Sequence, residues 1–158
     1  MVKALSDPRI WTEPKRRGDL INHVMAARQF RSRALVKLLA PHVDFDPYRR
    51  FRGDRLVLPF EEILHDYPVV DALARMGMIA VPDLLEVLKK SDPNDKAIEV
   101  EEPKPRGKGD GTGALKHKKA MTCLWYIYNR AGFGPEMLQK RIDLEIKNTP
   151  PKERGFLK

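Results

Sequence analysis

Hydrophobic positions along this chain recur at intervals of three and four, and no run alternates with the period of a strand. Leu20, Ile21, Val24 and Met25 open the first helical pattern behind Asp19, a good N-cap residue. Its phase slips across Arg28–Ser32 before Leu35, Leu38 and Leu39 resume it, so the stretch reads as one bent helix or two short ones. It stops at Ala40, because Pro41 disfavours helical backbone in the residue before it. Residues 41–58 read as irregular, with Pro41, Pro47 and Gly53 among scattered aromatics, and Pro59 as the first turn of a short helix through Leu64. Asp66 then reads as the cap of a helix whose face is Val69, Ala72, Leu73 and Met76, with Gly77 ending it at positive φ. Pro82 opens the next helix, with Val81, Leu84, Leu85 and Leu88 inward, and Asp92-Pro93 closes it. Beyond Ala114, the residues Ala120, Leu124, Ile127 and Ala131 form a further stripe, broken at Gly132 and Gly134. Pro135 starts a last helix with Leu138, Ile142 and Ile146 inward, ended by Pro150-Pro151.

Two segments lack such a pattern. Residues 1–17, with Pro8, Pro14 and Lys15-Arg16-Arg17, read as an extended arm. Residues 92–113 alternate glycine with charge, a composition that buries no face and is costly to order, and they read as a flexible linker loop. The expectation is an all-α fold: a short α-solenoid of stacked antiparallel helix pairs, with an irregular N-terminal arm and a long internal loop. It forms a single helical-repeat-like domain over residues 1–158.

The run Val70-Asp71-Ala72-Leu73-Ala74-Arg75-Met76-Gly77-Met78-Ile79-Ala80-Val81-Pro82-Asp83-Leu84-Leu85 resembles a HEAT-type repeat junction. In that armadillo-type family one helix turns through Ala-Val-Pro into a Leu-rich partner. Lys118-Lys119-Ala120 with Leu124, and Gly134-Pro135-Glu136-Met137-Leu138, are similar to the next helices of such an array. With the 92–113 insertion set aside, the spacing falls in the roughly 40-residue period of these repeats. The resemblance covers about residues 66–148 and implies two to three helix pairs. It departs from the family in the length of the linker and in a lysine, Lys118 or Lys119, where arginine is common. It also implies function by surface display on a scaffold that binds proteins or, less often, nucleic acid.

Composition narrows the chemistry. With 42% hydrophobic and 33% charged residues, the chain suits amphipathic helices with wide solvated faces better than a thick central sheet. The single Cys123 excludes an internal disulfide framework and a multi-thiolate zinc site, and its apolar surroundings make it a small buried hydrophobe. No stretch reaches the roughly 18 apolar residues of a membrane span, and a cytoplasmic location is expected. The net charge of +8 is concentrated at the two ends, flanking a mildly acidic middle, which suits acidic protein partners, nucleic acid or anionic lipid.

Candidate catalytic groups fail on context, so no enzyme, cofactor or metal site is expected. His42, Asp44 and Asp46 alternate and converge only in extended backbone. The run Gly107–Gly113 lacks the Gly-Lys-Ser/Thr ending and preceding strand of a phosphate loop, and holds one acid where a calcium loop needs several. Glu61-Glu62 diverge on a helix, and Glu99, Glu101 and Glu102 lie in solvated sequence. The candidate partner-binding residues are therefore the basic clusters. One joins Arg28, Arg31 and Arg33 with Lys37. Arg49, Arg50, Arg52 and Arg55 follow, interleaved with Tyr48 and Phe51, aromatics able to stack a base or fill a protein pocket. The third is Lys116, Lys118 and Lys119, ahead of Trp125 and Tyr126. Another protein, acidic where it docks, is the expected partner, with nucleic acid as the alternative.

Overall fold

The computed structural model describes residues 1–47, 67–92 and 113–157. Among them the chain is all-helical, without a strand. The expected irregular segment beyond residue 47, the short helix at 59–64 and the linker loop fall largely outside the described residues. The chain divides into two compact units, Met1–Ala80 and Val81–Lys158. The boundary lies inside the Ala-Val-Pro junction, not at the glycine-rich linker.

In the first unit the expected extended arm is instead helical. It comprises α1 (Val2–Leu5), α2 (Pro8–Thr12) and a 3-10 turn at Pro14–Arg16. Asp7 caps α2 by accepting a 3.0 Å hydrogen bond from the Arg9 amide, and Pro8 supplies a preset first helical φ. Pieces this short are marginal alone; Leu5 and Ile10, both buried, tie them to the core. Trp11 adds to this anchoring. Its ring stacks on His42 at 3.7 Å and meets Phe45 edge-on, while Nε1–H donates to the Leu5 carbonyl.

The bent-helix alternative resolves into two helices, α3 (Arg17–Ala27) and α4 (Arg33–Leu39), followed by a 3-10 turn at Ala40–His42. Asp19 lies in the first turn of α3 and is not its N-cap, because the preceding 3-10 turn runs directly into the helix at Arg17. α5 (Pro68–Met76) packs on α3 and α4. Its N-cap is Tyr67. Besides the expected Val69, Ala72, Leu73 and Met76, it buries Val70, Asp71 and Ala74, so it is covered nearly all round. Gly77 ends it with φ 74°.

The second unit holds α6 (Val81–Lys90), α7 (Gly113–Arg130) and α8 (Pro135–Asn148), with α7 packed against both others. Val81, Leu84, Leu85 and Leu88 of α6, and Ala120, Cys123, Leu124 and Ile127 of α7, are buried as their spacing predicts. Ala131 is exposed, since α7 ends one residue before it. A Schellman motif closes the helix: the Phe133 amide donates to the Tyr128 carbonyl and Gly132 to Asn129, with Gly132 at φ 79°. The Tyr128 and Phe133 rings meet over the turn at 6.1 Å. Leu138 and Ile142 hold α8 inward.

Candidate docking surfaces

The first arginine cluster is partly structural. Arg28 reaches Asp71 of α5 at 3.4 Å, and Arg75 meets the other carboxylate oxygen at 2.9 Å. Asp71 is only 8% exposed, and burying a carboxylate is costly unless ionic hydrogen-bond partners offset it. Arg28 is therefore a tie between the end of α3 and α5. Arg33 donates from Nη1 to the Ile79 carbonyl at 2.7 Å, holding the turn after α5. Arg31 and Lys37 are exposed. Tyr48, Arg49, Arg50, Phe51, Arg52 and Arg55 lie outside the described residues.

The lysine cluster of α7 is split by the helix. Neighbouring positions differ by about 100°, so consecutive cations cannot share a face. Lys118 is exposed and stands two turns from Trp125, which is 39% exposed, on one outward stripe. Lys119 is buried at 7% exposure, which removes it from any docking surface, and Lys116 is half-buried. On α8 the outward stripe carries Met137, Lys140, Leu144 and Lys147; Met137 is 45% and Leu144 48% exposed. These apolar residues were not among the sequence candidates. Their positions away from the Leu138 and Ile142 face on the helical wheel were the available signal.

Two concavities accompany these surfaces. In the first unit an open depression of about 560 Å³ lies among Lys3, Asp7, Ile10, Arg16, Asp19 and His23. Two of its charged residues are paired with each other: Asp7 binds Arg16 at 3.1 Å, and also Arg9 at 3.0 Å. Hydrogen bonds from the Arg9 side chain and amide bring the Asp7 carboxyl down to about 2.

In the second unit a cleft of about 180 Å³ is lined by Leu88, His117, Met121, Gln139, Ile142, Phe156 and Leu157. The chain after α8 forms one wall. The Phe156 amide donates to the Lys89 carbonyl at 3.1 Å, and Leu157 is buried. Gly155 adopts φ 52° and lies so close to Lys89 that a methyl group there would overlap its carbonyl oxygen. Lys89 also bridges Glu86 at 2.7 Å and Glu145 at 2.8 Å, fastening α6 to α8. The Lys89 hydrogen bond keeps the Glu145 carboxyl below its ordinary value, against the opposing effect of burial. His117 shares a 2.9 Å hydrogen bond through Nδ1 with the Ser91 carbonyl, and the Ser91 hydroxyl donates to Val87 at 2.7 Å.

Among the described residues, no group of three or more His, Cys, Asp or Glu side chains is arranged to hold a metal ion. No described helix is long and apolar enough to cross a membrane. Comparison with protein-family models, with curated proteins and with solved structures finds no match.

Proposed function

We propose that this chain is a non-catalytic binding module that docks another protein on its helical surfaces. The observation that carries this reading is the outer face of α8, where Met137 and Leu144 stand exposed beside Lys140 and Lys147. The inner face of the same helix is already buried through Leu138 and Ile142, so the outer pair adds nothing to the described core. Exposed methionine and leucine in one stripe, with charged residues beside them, match the apolar centre and polar rim of a protein interface. The glycine-ended α5 and the proline at the start of α6 support a HEAT-like reading of the helix junction. The reading is tested by placing a photo-cross-linking phenylalanine analogue at position 144 in the full chain and exposing it to extract of the source cell. A discrete protein adduct, abolished by Met137→Glu, is the expected result. Labelling no stronger than from position 153, on the exposed 3-10 turn, would overturn it.

A second reading, nucleic-acid binding, is favoured by the shared outward stripe of Lys118 and Trp125, which sets a phosphate-pairing cation two turns from a stacking ring. Counterion release separates the two readings. Binding to labelled single- or double-stranded nucleic acid should fall steeply between about 50 and 200 mM salt if phosphate contacts drive it.

A further inference from the structure

We propose that the α3–α4 loop and the end of α5 form a docking patch for an acidic segment of a partner protein, one whose carboxylates flank apolar side chains. This inference rests on the binding-module reading but concerns a surface of the first unit and not the α8 stripe. Two ties lay the loop and the helix end side by side. At the start of the loop Arg28 reaches Asp71 at 3.4 Å, and at its end Arg33 donates to the Ile79 carbonyl at 2.7 Å. Phe30 and Arg31 fall between these ties on one segment, and Arg75 and Met78 fall between them on the other. Phe30 is nevertheless 51% exposed and Met78 45%. Two large apolar side chains held outward on tethered backbone mark a binding surface, and the tethering lowers the ordering cost of using it.

Charge names the occupant. Residues 20–43 and 67–80 carry Arg28, Arg31, Arg33, Lys37 and Arg75 against a single acid, Asp71. That acid is buried and already engaged by Arg28 and Arg75. Arg31, Arg33, Lys37 and Arg75 are all exposed. Arg33 and Lys37, four residues apart on α4, share one face of that helix. The exposed charge that these segments set around Phe30 and Met78 is therefore of one sign, and a chain bearing carboxylates is its complement. Met78 favours a protein over a polynucleotide, because a flexible thioether is matched by irregular apolar side chains. Phenylalanine, methionine and arginine are also the residue types enriched at protein interfaces.

The test uses the full chain and three end-labelled dodecapeptide pools: Asp and Glu interleaved with Leu and Phe, the same acids interleaved with Ser, and Lys and Arg interleaved with Leu and Phe. A random single-stranded oligonucleotide serves as the phosphate probe. Anisotropy gives affinity, and the Met78 methyl resonance reports occupancy. The acidic apolar pool is expected to shift the Met78 methyl and to bind on the order of tenfold more tightly than the acid–serine pool, the worth of burying one apolar side chain. The basic pool should bind least. Phe30→Ser and Arg31→Glu, both at exposed positions, should each weaken binding severalfold while melting stays unchanged. Equal affinity for the two acidic pools, preference for the basic pool, no binding at millimolar peptide, or wild-type affinity in both variants would each overturn the assignment. An oligonucleotide that shifts Met78 at lower concentration than any peptide would overturn it in favour of nucleic acid. Peptide binding that shifts Met137 and not Met78 would reject this patch, while leaving the binding-module reading intact.

Discussion

Replacing Gly155 by alanine isolates the contact that seats the chain's last described turn. The new methyl would overlap the Lys89 carbonyl oxygen and lie 2.8 Å from the carbonyl carbon, and φ 52° adds conformational strain. Gly132→Ala is the matched control: φ is 79°, yet nothing lies within 4 Å of an added methyl. The control should therefore cost only the left-handed penalty, about 1 kcal/mol. At Gly155 the obstacle is backbone, which cannot swing aside, so the 154–157 segment must lift away. The lost terms are the burial of Leu157, about 1.5–3 kcal/mol, and the Phe156-to-Lys89 hydrogen bond, about 0.5–1.5 kcal/mol. Backbone freedom regained by the freed residues offsets part of these losses, leaving a net cost of about 1–3 kcal/mol. Melting should fall by roughly 3–10 °C. Amide exchange gives the sharper readout: the Phe156 amide should lose protection in Gly155→Ala and keep it in Gly132→Ala. If both variants melt alike and Phe156 stays protected, the close approach at Lys89 does not hold the segment, and the cleft loses that wall.

Three further outcomes are expected. Trp11→Ala removes the stack on His42, the edge contact to Phe45 and the hydrogen bond to Leu5; a loss of about 2–4 kcal/mol in urea unfolding is expected, with early proteolysis within residues 1–16. Asp71→Ala strips Arg28 and Arg75 of their shared acceptor and should cost about 1–3 kcal/mol by the same measure. A null effect would show the tie to be ornamental. Because Lys89 holds the folded Glu145 carboxyl below its ordinary value of 4.5, the pair's stabilisation is present above that pH and fades as pH falls through the depressed value. Glu145→Gln should therefore destabilise the chain at pH 7, and its deficit against the wild type should shrink as the pH falls below the ordinary carboxylate value and through the depressed one. A deficit independent of pH would refute the ion-pair account.

The α5 and α6 stripes were legible because each element is long enough for a 3.6-residue period to stand out, and each has a glycine or proline at an end. The N-terminal helices were not legible. Five residues hold too little periodicity, and the prolines that suggested an extended arm occupy helix starts instead. The candidate site was legible as charge and illegible as geometry. A count of lysines at 116–119 cannot register that Lys118 points outward while Lys119 is buried. Nor can a count of arginines separate Arg31, which is exposed, from Arg28, which is engaged by Asp71 43 residues away.

By itself, then, the sequence determined the helical class, the inward residues of α5 and α6, the burial of Cys123 and the basic character of the two ends. These follow from local spacing and composition, which act within a few residues of chain. Tertiary structure alone decided which cations are consumed by ion pairs and which reach solvent. It also decided that Gly155 must be glycine, and that residues from four separate segments enclose one apolar cleft. Each of those depends on atoms brought together across tens of residues, where no local period carries information.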